Sequence, residues 1–360
     1  MKFGMLVSAM HPWLTVDLSV QLAEASGADS FWVPDHMLGW FHPGLYQDMS
    51  ISDMSPHPDG WYDPYLVLAS LSQKTDKPLG MVVTDSARRR APDVARTCLT
   101  LQHMAVGGFT LGIGSGEAEN IVPFGYEYTK PVTVLERFLV EIRSLFDTGR
   151  MPEGPGVMGL PLEGAAGKPQ VWVGGHGPRM LRLTGTHGDG WIPGWPMSPE
   201  EYGRRRGVIA EWAAKAGRPA PTCSMAAPFV VGECRDKILE QFDAEPLAKV
   251  LGLFIMAEVW ERHGRVHPLD AKSRGFIDTV IHGRDADEIR DIAPSIPVEV
   301  VEEFLYIGNA EEIARRIEAY ADNGLEHVVV GNLTGIVGGG KEFQARLPEA
   351  MALTAAIREM

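Results

Sequence analysis

Eight short apolar runs, each bounded by helix or turn signals, constrain the fold of this 360-residue chain more than any other feature. They are Lys2 to Val7, Ser30 to Val33, Pro78 to Val83, Phe109 to Gly114, Gln170 to Gly174, Gly190 to Pro193, Cys223 to Val231 and Glu326 to Val330. Uninterrupted apolar strands separated by helices belong to parallel sheets covered on both faces. The helix signals are equally regular. Thr15 reads as the cap of a helix that buries Leu18, Leu22 and Ala25 before Gly27, and Asp63-Pro64 as a cap and first turn. A further helix runs from about Pro92 to Ala105. Leu135, Phe138, Leu139, Ile142 and Phe146 form a buried stripe, and Asn309 caps a helix carrying Ile313, Ile317 and Tyr320 up to Gly324. The alternation predicts an α/β fold, a (β/α)8 barrel in a single domain over residues 1–360, in place of a doubly wound sheet with a second domain. Residues 233–308, with a helical run around Leu247 to Glu261, are surplus to eight units. They read as a helical insertion between strands seven and eight, lying over the barrel mouth.

Charge and cysteines narrow the setting. A formal charge of −14 disfavours nucleic acid and anionic membranes as partners and leaves a small-molecule substrate. Cys98, Cys223 and Cys234 are odd in number and widely spaced, which suits a reducing cytoplasm better than a disulfide framework or a zinc site. The first residues lack the pattern of a signal peptide, and no run is long enough to insert in a membrane.

In such a barrel, chemistry sits at the carboxyl ends of the strands. Four segments fall there. In the stretch Ser30 to Trp40, Pro34 cannot continue a central strand, so Asp35 and His36 stand just past its end. The plain alternative is a corner whose acid and imidazole bond only each other. The long Met37 to Tyr62 loop that follows has the length of a functional loop. After the fourth run, Gly112, Gly114, Ser115, Gly116 and Glu117 precede Asn120; Glu117 stands where a dinucleotide fingerprint needs its third glycine. The glycines suit close approach of a flat ring, and a tight strand exit with a solvated Glu is the alternative. Gly174, Gly175, His176 and Gly177, with Pro178 opening a helix, direct free N–H groups past the strand, as a phosphate requires. Arg179 and Arg182 add charge there. The third run ends in Val82, Val83, Thr84 and Asp85, with Arg88, Arg89 and Arg90 beyond, three charges that could receive an anionic tail or simply be solvated.

Other chemistries lack their residues. There is no Gly-x-Ser-x-Gly elbow, phosphate-binding Walker loop or His-Glu-x-x-His. His36, His42 and His57 with Asp53 and Asp59 match no metal-ligand spacing, so no metal is expected.

Together these segments resemble, over nearly the whole chain, the luciferase-like flavin and F420-dependent oxidoreductase superfamily. Asp35-His36 with Trp40, the Gly114 to Glu117 turn with Asn120, and the Gly174 to Pro178 turn point to its F420-using branch, where sugar-phosphate dehydrogenases carry the same His, Trp and Glu. Val83-Thr84-Asp85, Thr129-Lys130-Pro131, His176 to Arg182 and Arg262-His263-Gly264 point to a ketone-reducing subgroup. The resemblance implies a luciferase-like TIM barrel that binds coenzyme F420, with FMN as the alternative, and transfers a hydride between the deazaflavin and a carbonyl or alcohol. It implies Asp35 and Asn120 bonded to the ring and a non-proline cis peptide at Val82-Val83, with Thr84 beside it. Gly114, Ser115 and Gly116 would line the ring, and Gly174, Gly175, His176 and Gly177 would take the phosphate. His36 and Glu117, beside Trp40, would handle the protons. A homodimer is also implied. Met197 stands where a sugar phosphate would call for lysine, and Trp191, Trp195 and Pro196 make that exit apolar. An apolar ketone or alcohol is therefore favoured. An FMN-dependent monooxygenase and a flavin-binding protein without turnover are the alternatives.

Overall fold

The computed structural model describes residues 1–194 and 197–360; Trp195 and Pro196 lie outside the described residues. In chain order the strands are β1 (Lys2–Leu6), β2 (Ser30–Val33), β3 (Leu79–Met81), β4 (Thr84–Asp85), β5 (Phe109–Gly114), β6 (Gln170–Val173), β7 (Gly190–Trp191), β8 (Thr222–Val231), β9 (Tyr306–Gly308) and β10 (His327–Asn332). Parallel pairings run β10-β1-β2-β3-β5-β6-β7-β8, and β8 pairs β10 to close the ring. All eight apolar runs are thus barrel strands. The third is split: the Val82-Val83 peptide is cis, and β4 resumes pairing with β5 beyond it. Strand β9 was not legible as a run. It extends the far end of β8.

The lumen is filled by indoles seated over glycines. Trp32 and Trp172 have ring centroids 4.9 Å apart, and both meet His327 edge-on. A Cβ on Gly80 would come 2.3 Å from the Trp32 ring, and one on Gly190 would come 2.5 Å from Trp172. Only residues without a side chain leave room for rings of this size. Ile192, Val329, Leu6, Val82 and Val83 complete the plug.

Proline opens many of the surrounding helices, among them Pro64–Leu71, Pro131–Thr148, Pro178–His187 and Pro199–Lys215. Its fixed φ and missing N–H cost nothing in the first turn. Asp63 caps the first of these through Tyr65 N, and Asn309 forms a capping box with Glu312 ahead of Ala310–Ala321. The first helix departs from expectation. It spans Trp13–Ala25, so Thr15 lies inside it, and the buried side chains are Val16, Val20 and Ala23. Leu18 is 49% exposed. This helix is apolar on two faces, and periodicity does not say which face the small, branched side chains present to the sheet.

Residues 235–305 contribute helices and 3-10 turns that build a second core. Phe41, Leu45, Tyr46 and Met49 from the loop after β2 join Phe254, Trp260, Phe276 and Val301 in it. The expected helix at 247–261 is a 3-10 segment, Pro246–Phe254, followed by Ala257–Arg262. Among the described residues no helix is long and apolar enough to cross a membrane.

Candidate active site

Pro34 ends β2, and the next two side chains take opposite roles. Asp35 turns inward, accepting a hydrogen bond from Thr84 Oγ1 at 2.6 Å and pairing with Arg88 at 2.9 Å. Arg88 also pairs with Asp85, which accepts the N–H groups of Ala87 and Arg88. All three charged side chains are less than a tenth exposed. Burial raises the Asp35 pKa, with Arg88 opposing. The arginine run therefore does not present three free charges: Arg88 clamps two strand ends from within, Arg89 pairs with Asp63 at 2.5 Å, and Arg90 stands exposed. A run of like charge reads as surface because a sequence does not show two carboxylates converging on one member of it.

His36 faces the mouth. Its ring lies edge-on to Trp40 at 5.2 Å and tilted against Trp61 at 4.9 Å. Burial, helped by the Arg88 charge, lowers its pKa to about 4, so the imidazole is neutral near pH 7. Glu117, just past β5, brings Oε2 to 4.0 Å from His36 Nδ1. Burial, reinforced by the Asp85 charge, pushes its carboxyl up to about 7. Asn120 ties the two together. Its Oδ1 accepts from Met37 N and Leu38 N, which fixes the amide orientation, and Nδ2 donates to Glu117 at 3.2 Å and toward His36 Nδ1 at 3.4 Å. A neutral His36 that accepts at Nδ1 carries its proton on Nε2. Trp40 continues outward to Phe304 at 5.6 Å and Phe276 at 6.1 Å.

Val83 packs between two bare backbones. Its methyls lie 3.5 Å from where a Cβ would sit on Gly114 or Gly174, and Gly174 N donates to Ile113 O at 2.8 Å. Gly116 has φ +96°, a conformation glycine adopts freely, and its carbonyl accepts from Tyr128 at 2.5 Å, while Ser115 is half-buried beside it. At the neighbouring exit, Gly175 O accepts from Trp191 Nε1. Burial and the Arg205 charge hold the His176 imidazole well below its usual pKa. Gly177 is exposed and precedes Pro178–His187, whose N-terminus has no capping side chain among the described residues. Arg179 and Arg182 both pair with Glu136.

The structure thus brings His36, Trp40, Glu117 and Asn120 together from two strand exits, with Val82, Val83 and Thr84 beside them and the Gly174 turn next to Gly114. Asp35 and Asn120, expected against the ring, have protein partners: Asp35 holds Thr84 and Arg88, and Asn120 holds Met37, Leu38, Glu117 and His36. Of the residues weighed for a loop metal site, His42 bonds Gly44 N and Arg284 O, His57 bonds Asp59 N and lies 3.7 Å from its carboxylate, Asp59 pairs with His282, and Asp53 accepts from Gly340 N. Trp61 and Glu119 escaped the sequence reading, and so did the pairing of Arg88 with Asp35 and Asp85. Trp61 sits in a loop without periodicity, and Glu119 belongs to a helix of only four residues.

Comparison with known proteins agrees with this fold. The luciferase-like monooxygenase family profile matches residues 1–327. A phthiodiolone/phenolphthiodiolone dimycocerosates ketoreductase of Mycobacterium tuberculosis is 31% identical over 351 residues, covering 92% of each chain. An F420-dependent secondary alcohol dehydrogenase, solved with an F420-acetone adduct, superposes with a TM-score of 0.71 at 20% identity over 99% of both chains. A riboflavin lyase solved with modified FMN gives 0.67 at 16% identity, over 100% of this chain and 91% of that one. With a closed parallel barrel and a family match over most of its length, the chain belongs to the luciferase-like monooxygenase family.

Proposed function

We propose that the protein is an oxidoreductase that uses coenzyme F420 to move a hydride between the deazaflavin and a largely apolar carbonyl or alcohol substrate. The observation that carries this reading is the meeting of a neutral imidazole, a carboxyl titrating near neutrality and an indole at one rim, in His36, Glu117 and Trp40. Three features fit the cofactor. Val83 is half-buried and flanked by glycine at Gly114 and Gly174, whose missing side chains suit a flat ring beside it. Trp40 Nε1 is buried without a hydrogen-bond partner among the described residues, a donor in need of an acceptor. The uncapped N-terminus after Gly177 suits the phosphate. Val82, Val83, Thr84, Gly114, Ser115 and Gly116 would hold the ring, and Gly174 to Gly177 the phosphate. Asp35 and Asn120 would secure them from behind.

Bound F420 supplies hydride and cannot by itself balance the proton on oxygen. Between about pH 4 and about 7 the His36–Glu117 pair carries its dissociable proton on Glu117, with His36 Nε2–H as a neutral donor. Glu117 therefore acts as the acid in carbonyl reduction and as the base in alcohol oxidation. The expected pH dependence follows directly. Reduction holds constant between about pH 4 and about 7 and falls about tenfold per pH unit above that, while oxidation rises to a plateau above pH 7. Rate profiles of kcat in both directions check this.

The aromatic rings of Trp40, Phe276 and Phe304, with buried Met197 at the β7 exit, favour an apolar substrate body. The likeness to a protein solved with FMN keeps FMN-dependent monooxygenation as the second reading. Titrating the purified protein separately with F420 and FMN decides between them. Saturable perturbation of F420 absorbance, and oxidation of reduced F420 by apolar ketones, is the expected result; FMN binding with oxygen consumption would overturn it.

A further inference from the structure

Glu119 is 0% exposed, and neither carboxyl oxygen has a hydrogen-bond partner among the described residues. It lies directly behind the proton-handling pair: one carboxyl oxygen of Glu119, one of Glu117 and a ring nitrogen of His36 all fall within 4.8 Å of one another. A carboxylate in such a place would be a desolvated, unpaired charge facing a second acid. The chain can hold this group only as the neutral acid, which has one O–H to give.

We propose that Glu119 is a permanently neutral carboxylic acid that donates its O–H to the Glu117 carboxylate whenever Glu117 has given up its proton, and thereby sets the pH at which Glu117 works. This deepens the role given to Glu117 above and rests on that reading. Glu119 is a positioning residue: it touches no reacting atom and acts through Glu117. A gap of up to 4.8 Å between the two carboxyls is spanned by one bridging water or closed by a side-chain rotation. No bond is exchanged with substrate. The O–H of Glu119 stays covalently its own while its hydrogen bond stabilises the anion formed on Glu117, as neutral carboxylic acids do in other low-dielectric sites.

The surrounding charges favour this assignment. Asp59 and Glu117 both raise the Glu119 pKa, beyond the effect of burial itself. Asp59 is tied to His282, and on the packed turn Gly275–Ile277 the flanking Arg274 and Asp278 neutralise each other. Asn120 spends its amide hydrogens on Glu117 and His36. No cation faces Glu119 closely enough to keep it ionised among the described residues.

Two variants and one spectroscopic readout test the proposal without relying on turnover. In cofactor-free protein at pH 10, well above the midpoints expected for Glu117, infrared spectra of the wild type are expected to show a protonated-carboxyl band that is absent from Glu119→Gln and Glu119→Leu. Titrated by infrared, Glu117 in Glu119→Leu, which has no donor, is expected to lose its proton about one pH unit higher than in wild type. Glu119→Gln, which retains an N–H donor, is expected to restore the midpoint to within about 0.3 pH unit. Absence of the band in wild type, or equal midpoints in wild type and Glu119→Leu, would overturn the assignment. If F420 fails to bind while these shifts appear, the functional reading fails and the assignment of Glu119 stands.

Discussion

His36→Ala and Glu117→Gln are each expected to retain F420 binding while turnover falls by about two orders of magnitude or more, the scale of a lost acid or base group. Glu117→Gln is the sharper of the two because it keeps shape and polarity and removes only the transferable proton. It also carries an opposite signature in stability. The Glu117 pKa is raised on folding, so the folded state holds more protons than the unfolded chain between pH 4.5 and about 7, and wild-type stability is lost as pH rises through that window. The glutamine has nothing to titrate. The inactive variant should therefore be as stable as wild type at pH 4 and more stable at pH 8, as measured by urea midpoints. His36 contributes with the reverse sign. Its pKa is lowered on folding, so its contribution is lost as pH falls from 6.5 through about 4. Full turnover in both variants would remove the assigned roles, and loss of F420 binding in Glu117→Gln would mark it as a ligand and not an acid.

Arg88→Met is expected to produce the largest loss of stability, about 3–5 kcal/mol, because it leaves the buried carboxyls of Asp35 and Asp85 facing each other without their shared cation. Methionine keeps much of the buried stem, so the loss reports charge more than volume. The deficit should shrink at acidic pH, where the two carboxyls can take up a proton. Denaturant melts at pH 5 and pH 8 measure the difference. The same substitution removes the charge that opposes the upward shift of Glu117, so the reduction rate should begin to fall at a higher pH than in wild type.

Much of this architecture was legible in the residues. The eight apolar runs needed no tertiary information, because strands buried on both faces announce themselves by composition alone. The capping signals at Asp63 and Asn309 were equally local. What escaped had non-local causes. The break between β3 and β4 and the pairing of β9 with β8 depend on which backbones meet, and the rotation of the first helix toward Val16 depends on the sheet beneath it. His36, Glu117 and Asn120 could be named from their places just past strands, and Trp40 joined them through the family resemblance. The pairing of Arg88 could not be read, since its meaning lies with Asp35 and Asp85, each at the end of a different strand. Glu119 was hidden for a related reason: a glutamate in a short helix gives no hint that it is wholly enclosed.

The two tryptophans wedged over Gly80 and Gly190 carry one more consequence. They fill the lumen with rigid apolar rings, so a side chain gained at either glycine would have to displace an indole together with the residues packed on it.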